Sequence, residues 1–133
     1  DFRGLVFFNS LSDLGATEER LQFNGASAVS LASDINVKFR KVILEKFKNH
    51  EISLLLGTDL LARGIDIENL EVVINFDIPR DREAYTHRAG RTGRMGNEGS
   101  VISLVTHPED LKKLKKFAKV SELVLKNQEL HEK

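Results

Sequence analysis

The chain alternates short apolar runs with polar stretches in which apolar residues return at helical spacing. "GLVFF", residues 4–8, reads as a buried strand from its length and aromatic content. Polar Asn9 and Ser10 end it, and the next segment predicts a helix through about Phe23, closed by "NG" at 24–25. "ASAVSL" reads as a second, weaker strand. Asp34 or Asn36 then caps a helix in which Val37, Arg40, Lys41, Leu44 and Phe47 fall near one stripe, with Lys41 at its edge. "ISLLLGT" at 52–58 and "LEVVINF" at 70–76 are apolar on both faces, as central parallel strands are. A helix from about Arg82 to Ala89 leads to the strand "SVISLV" at 100–105. "HPEDLKKLKKFAKV" is an amphipathic helix, with proline at its start, acids in its first turn and lysines later. Residues 119–133 read as a partly ordered tail in which "ELVLKN" forms a last strand.

Strand and helix alternate throughout, which predicts an α/β fold: a parallel sheet with helices on both faces, in three layers. Working residues in such folds lie beyond the carboxyl ends of the strands. Asn9–Ser10, Thr58–Asp59 and the segment after Phe76 hold such positions and are expected to converge on one edge. The 133 residues suffice for one domain with a proper core and are too few for two. The chain starts only three residues before a strand and closes on the charged "NQELHEK", which reads as a piece of a larger protein.

Composition narrows the function classes. Zero cysteines exclude disulfides and thiolate metal sites and agree with a reducing, cytoplasmic setting. The histidines at 50, 87, 107 and 131 are too scattered for a spaced ligand pair, so no metal site is expected. No apolar run approaches the ~20 residues of a membrane helix. Twenty basic residues balance twenty acidic ones, so any nucleic-acid binding must rest on local clusters.

One such cluster is "YTHRAGRTGRMGNEG", residues 85–99, where Arg88, Arg91 and Arg94 stand three apart among Gly90, Gly93 and Gly96. Gly90 and Gly93 would interrupt a helix and let the backbone turn with positive φ, so that Arg91 and Arg94 project from its end. A guanidinium is a permanently charged fork that matches phosphate oxygens. The plain alternative is a basic helix end packed on the domain's own acids or solvated. A second segment, "GTDLLARGIDIENLEVVINFD", places Thr58, Asp59, Arg63, Gly64 and Asp66 just after a buried strand. Arg63 suits a nucleic-acid backbone, Gly64 permits close approach, and Asp66 suits a sugar hydroxyl. Singly, helix capping explains Thr58 and Asp59, and a turn explains Asp66.

Together, "TDLLARGIDI" and "YTHRAGRTGRMG" resemble motifs V and VI of DEAD-box ATP-dependent RNA helicases, and "LVFFNS" is similar to motif IV. The resemblance runs over most of the chain and implies the second, C-terminal RecA-like domain of such an enzyme. It implies that Arg91 and Arg94 are arginine fingers for the γ-phosphate of ATP, that Asp66 meets the ribose beside Gly64, and that His87 sits at the interface with the partner domain's catalytic acids. Arg88 would support local structure. Ser10, Thr58 and Arg63 would contact the RNA backbone, with Gly57 allowing close packing nearby, and Ser10 has the alternative of capping the next helix. "ASD" at 32–34 and "VKFR" at 37–40 depart from the family's His-Gly-Asp and Gln-x-x-Arg: Ala32, Ser33 and Val37 replace His, Gly and Gln, which puts RNA affinity in question.

No two glycines lie five apart, so no G-x-x-x-x-G-K-[ST] cradle is present, and there is no Asp-Glu-Ala-Asp. The groups that hold magnesium and most of the triphosphate are therefore expected on an N-terminal RecA-like domain, and this domain alone is expected to hydrolyse nothing measurable. Two other functions fit the same clusters: a stand-alone RNA- or anion-binding module, disfavoured by the zero net charge, and a domain of a related DNA-acting helicase, disfavoured by the histidine that opens motif VI.

Overall fold

The computed structural model describes residues 3–31, 36–60, 67, 70–92 and 99–120, the last three by their backbone alone. Five strands, β1 (Gly4–Phe7), β2 (Ala28–Ser30), β3 (Leu54–Gly57), β4 (Val72–Asn75) and β5 (Ser100–Ser103), form one sheet in the order β2-β3-β1-β4-β5. Every neighbouring pair is parallel. Four helices are described: α1 (Leu14–Phe23), α2 (Val37–Lys48), α3 (Arg82–Ala89) and α4 (Pro108–Val120). The parallel α/β fold read from the sequence is thus present, and "ELVLKN" lies outside the described residues.

The central strand shows how the layers arise. Successive side chains of a strand point to opposite faces. Leu5 and Phe7 enter one cluster with Leu55, Val73 and Phe47 of α2, while Val6 and Phe8 enter the other with Leu56 and Leu14 of α1. Helices therefore cover both faces, and β1 must be apolar throughout. Gly4 is required at its start, because a Cβ there would lie 2.6 Å from Cγ1 of Val72. A third cluster joins Leu114 and Phe117 of α4 to Ile78 and Tyr85. The Tyr85 and Phe117 rings are 5.8 Å apart, and burial pushes the Tyr85 hydroxyl above its ordinary value.

Helix ends follow local chemistry. Asn36 caps α2 by accepting from the Lys38 N–H at 2.8 Å; the other candidate, Asp34, lies outside the described residues. Both α1 and α2 close on a residue with positive φ: Gly25 at 88° and, unusually, His50 at 63°. At the second, the Glu51 N–H reaches back to the Lys46 carbonyl at 2.8 Å and the His50 N–H to that of Phe47 at 3.2 Å, the bonding of a left-handed cap. The expected stripe on α2 needs correction. Phe47, Leu44 and Ile43 pack inward, but Val37 is 70% exposed. Val37 is the first helical residue, and its Cβ tilts toward the helix N-terminus, where no further turn precedes it.

Strand β2 lies at the sheet edge, and α1 covers its outward-facing backbone. Glu18 accepts from the Ser30 N–H at 2.7 Å and from its hydroxyl at 3.0 Å, while Gln22 donates to the Ala28 carbonyl at 2.7 Å. Among the described residues, no helix is long and apolar enough to cross a membrane.

Candidate nucleic-acid interface

The carboxyl ends of β1, β3 and β4 lie side by side, since Phe7 pairs with both Gly57 and Asn75. Gly57 is buried, and its carbonyl accepts the Phe8 N–H at 2.8 Å. Asn9 then crosses toward β4: its N–H donates to Asp77 Oδ2 at 2.8 Å and its Nδ2 to the Ile78 carbonyl at 3.0 Å.

Arg88 of α3 fills the space between these strand ends. It is fully buried, with its guanidinium carbon 5.2 Å from the centre of the Phe7 ring. Nε and Nη2 donate to Oδ1 and Oδ2 of Asp59 at 2.7 and 2.9 Å. Nη2 also donates to Asn9 Oδ1 at 2.8 Å, and Nη1 to the Asp77 carbonyl at 2.9 Å and to Asn75 Oδ1 at 3.3 Å. A guanidinium has five N–H donors. All are engaged, which is the condition for burying such a charge without a large penalty. Asn75 is locked in turn, donating to Ser103 Oγ at 3.0 Å.

Directly outside this hub lies a cleft of about 500 Å³ whose lining includes Ser10, Thr58 and His87. Each is the chain neighbour of a hub residue: Ser10 follows Asn9, Thr58 precedes Asp59, and His87 precedes Arg88. The hub therefore fixes the backbone from which each cleft side chain springs. The cleft also takes in Leu11 and Leu60, both more than half exposed, and the cation Arg80. Ser10 does not cap α1. Asp13 holds that position, three residues further on, and the Ser10 hydroxyl instead meets that of Ser12 at 2.9 Å.

Arg91 stands apart from these cleft residues, just past the C-terminus of α3 and half-buried. Its carbonyl accepts the Leu70 N–H at 3.0 Å, and Leu70 forms a parallel bridge with Thr92, whose hydroxyl donates to the Leu70 carbonyl. Gly90, expected to turn with positive φ, has φ −65° and continues the right-handed path of α3 as its C-cap. Arg91 is thus carried onward along the helix and not swung away from it. Arg63, Gly64, Asp66, Gly93 and Arg94 lie outside the described residues, as do Ala32, Ser33 and Asp34. The sequence marks Asn9 only as a strand end and Arg80 not at all. Their roles depend on partners some seventy positions distant in sequence, for which local pattern gives no signal.

The chain resembles known proteins in both sequence and fold. A family model described as helicase conserved C-terminal domain matches residues 1–96. The chain is 37% identical over 87 residues to the ATP-dependent RNA helicase DeaD of Escherichia coli K12, covering 65% of this chain and 14% of that protein. It superposes on the C-terminal domain of the DEAD-box protein Dbp5 with a TM-score of 0.82 at 28% identity, covering 90% of this chain and 70% of that one. Against Saccharomyces cerevisiae Dbp5 bound to RNA and ADP BeF3 the TM-score is 0.80 at 29% identity, over 89% of this chain and 32% of that one. The chain thus spans only a small part, 14%, of the curated relatives it matches.

Proposed function

From the premise that this chain belongs to the helicase conserved C-terminal domain family, as the second RecA-like domain of a DEAD-box helicase, we propose that it serves as the mobile half of an ATP-dependent RNA clamp. In the full-length protein, ATP and RNA bind between this domain and an N-terminal RecA-like domain, and both ligands favour the closed state. Ser10, Thr58 and Arg63 hold one RNA strand by its sugar–phosphate backbone, with Gly57 keeping that surface close. A strand held on a bent path cannot stay paired, so short duplexes open locally. Arg91 and Arg94 face the γ-phosphate, Asp66 and Gly64 the ribose, and His87 the partner domain's catalytic acids. Loss of the γ-phosphate removes the charge that the arginines hold, and the domains part. The coupling is reciprocal: RNA must tighten ATP binding as much as ATP tightens RNA binding.

The observation that carries this proposal is the meeting of Ser10, Thr58 and His87 on one cleft, each braced by a neighbour in the Arg88 hub. Contacts to the sugar–phosphate backbone read no bases, so little sequence preference is expected, and preference for RNA would rest on its 2′-hydroxyls. The cleft is lined by a single guanidinium, that of Arg80, which is too little positive charge for a triphosphate. Nor do the described residues fit Mg2+, since no three His, Cys, Asp or Glu side chains come together among them. Magnesium, which neutralises charge on the phosphate oxygens, is therefore assigned with most of the triphosphate to the N-terminal domain, and this domain alone is expected to be inactive. The test is RNA binding by the full-length protein carrying Ser10→Ala and Thr58→Ala together. A weaker affinity for single-stranded RNA with unchanged RNA-free ATPase is expected; an unchanged affinity would remove the cleft from the RNA path.

A further inference from the structure

We propose that Arg80 is a phosphate contact for the RNA strand passing Ser10, an inference that rests on the RNA reading of this cleft. Arg80 is exposed, lines the cleft, and donates from Nη2 to the carbonyl of Asn9 at 3.1 Å. That carbonyl belongs to the peptide bond joining Asn9 to Ser10, so the guanidinium lies against the backbone that carries the Ser10 hydroxyl. The anchor is firm, because Asn9 is itself held by Asp77, Ile78 and Arg88. One N–H of five is used among the described residues, which leaves most of a planar fork suited to phosphate oxygens.

The neighbouring acids do not consume this charge. Asp59 is gripped by Arg88 through both oxygens, and Asp81 caps α3 by accepting from the Ala84 N–H at 2.8 Å. Among the described residues, Arg80 makes no ion pair. Glu83 faces the same cleft and opposes an incoming phosphate. The contact is therefore with a single phosphate rather than a run of them.

Salt dependence separates a phosphate contact from a structural one. For single strands, each neutralised phosphate contributes about 0.7 to the slope of log affinity against log salt. The full-length protein would be titrated with a fluorescent polyuridine strand, with a non-hydrolysable ATP analogue present, at several potassium chloride concentrations. Arg80→Ala should weaken binding about three- to tenfold and make the slope shallower by about 0.7. Arg80→Lys should recover most of the slope, and Glu83→Gln should tighten binding. An unchanged slope for Arg80→Ala, with or without lost affinity, overturns the assignment, and lost affinity at constant slope would instead mean support of Asn9 or contact with the partner domain. Thr58→Ala serves as the reference. If it weakens binding while Arg80→Ala keeps the wild-type slope, this inference alone fails; if it too has no effect, the RNA reading of the cleft falls and takes Arg80 with it.

Discussion

Arg88 and Asp59, 29 positions apart in sequence, meet as a two-point fork of 2.7 and 2.9 Å. Because Thr58 and His87 are their immediate neighbours, this pairing sets the separation of two cleft residues that belong to different motifs. Arg88 is buried and His87 exposed, whereas Asp59 and Thr58 are both half-buried, so the ion pair reaches from the core to the cleft wall.

Replacing Arg88 by Lys should destabilise the domain by about 3 kcal/mol, since a single ammonium cannot serve Asp59, Asn9, Asn75 and the Asp77 carbonyl together. Urea unfolding measures this. A loss below about 1 kcal/mol would mean that the hub is replaceable by water.

On the proposed finger role, Arg91→Ala in the full-length protein should lower the ATPase rate about 10³-fold or more, because such an arginine acts mainly on the transition state. Steady-state phosphate release reads it directly, and a rate within a few-fold of wild type rules the role out.

His50 holds a left-handed φ of 63° at the end of α2, where Gly25 does the same for α1. His50→Gly relieves the steric cost of that conformation but loosens the unfolded chain, so a net gain of about 0.5–1 kcal/mol is expected from thermal unfolding. A loss would show that the imidazole makes a compensating contribution.

Glu71 supplies the pH dependence. Burial pushes its carboxyl up, but hydrogen bonds from the Arg3 N–H and its own N–H, with the charges of Arg3 and His50, outweigh that and hold it below 4.5. A carboxyl lowered in the folded state stabilises the fold above its ordinary value, and that stabilisation is lost as pH falls through the folded value. Glu71→Gln should therefore be less stable than wild type at neutral pH, with the difference shrinking below pH 4.5. Urea midpoints across the acid range check the sign.

Much of this was legible in the sequence. β1, β3 and β4 announced themselves as apolar runs because both faces of the sheet are covered, and α3 was bounded correctly by Arg82 and Ala89. The convergence of Asn9–Ser10 and Thr58–Asp59 followed from parallel topology alone. Val37 misled because helical periodicity is blind to where a helix begins relative to the sheet. Gly90 misled because glycine permits a left-handed turn without requiring one. The family resemblance pointed to a supporting role for Arg88, but its partners were invisible, since the hub joins it to Asn9 across 79 positions and no local pattern distinguishes an arginine that will be buried from one that will meet solvent.

The side chains of Glu18 and Gln22 have a consequence beyond their own helix. A foreign extended segment arriving at β2 would find the Ser30 amide and the Ala28 carbonyl already occupied. It would have to displace groups tethered to α1 before a ladder could start. Along that flank the domain is guarded against zipping onto a second copy of itself.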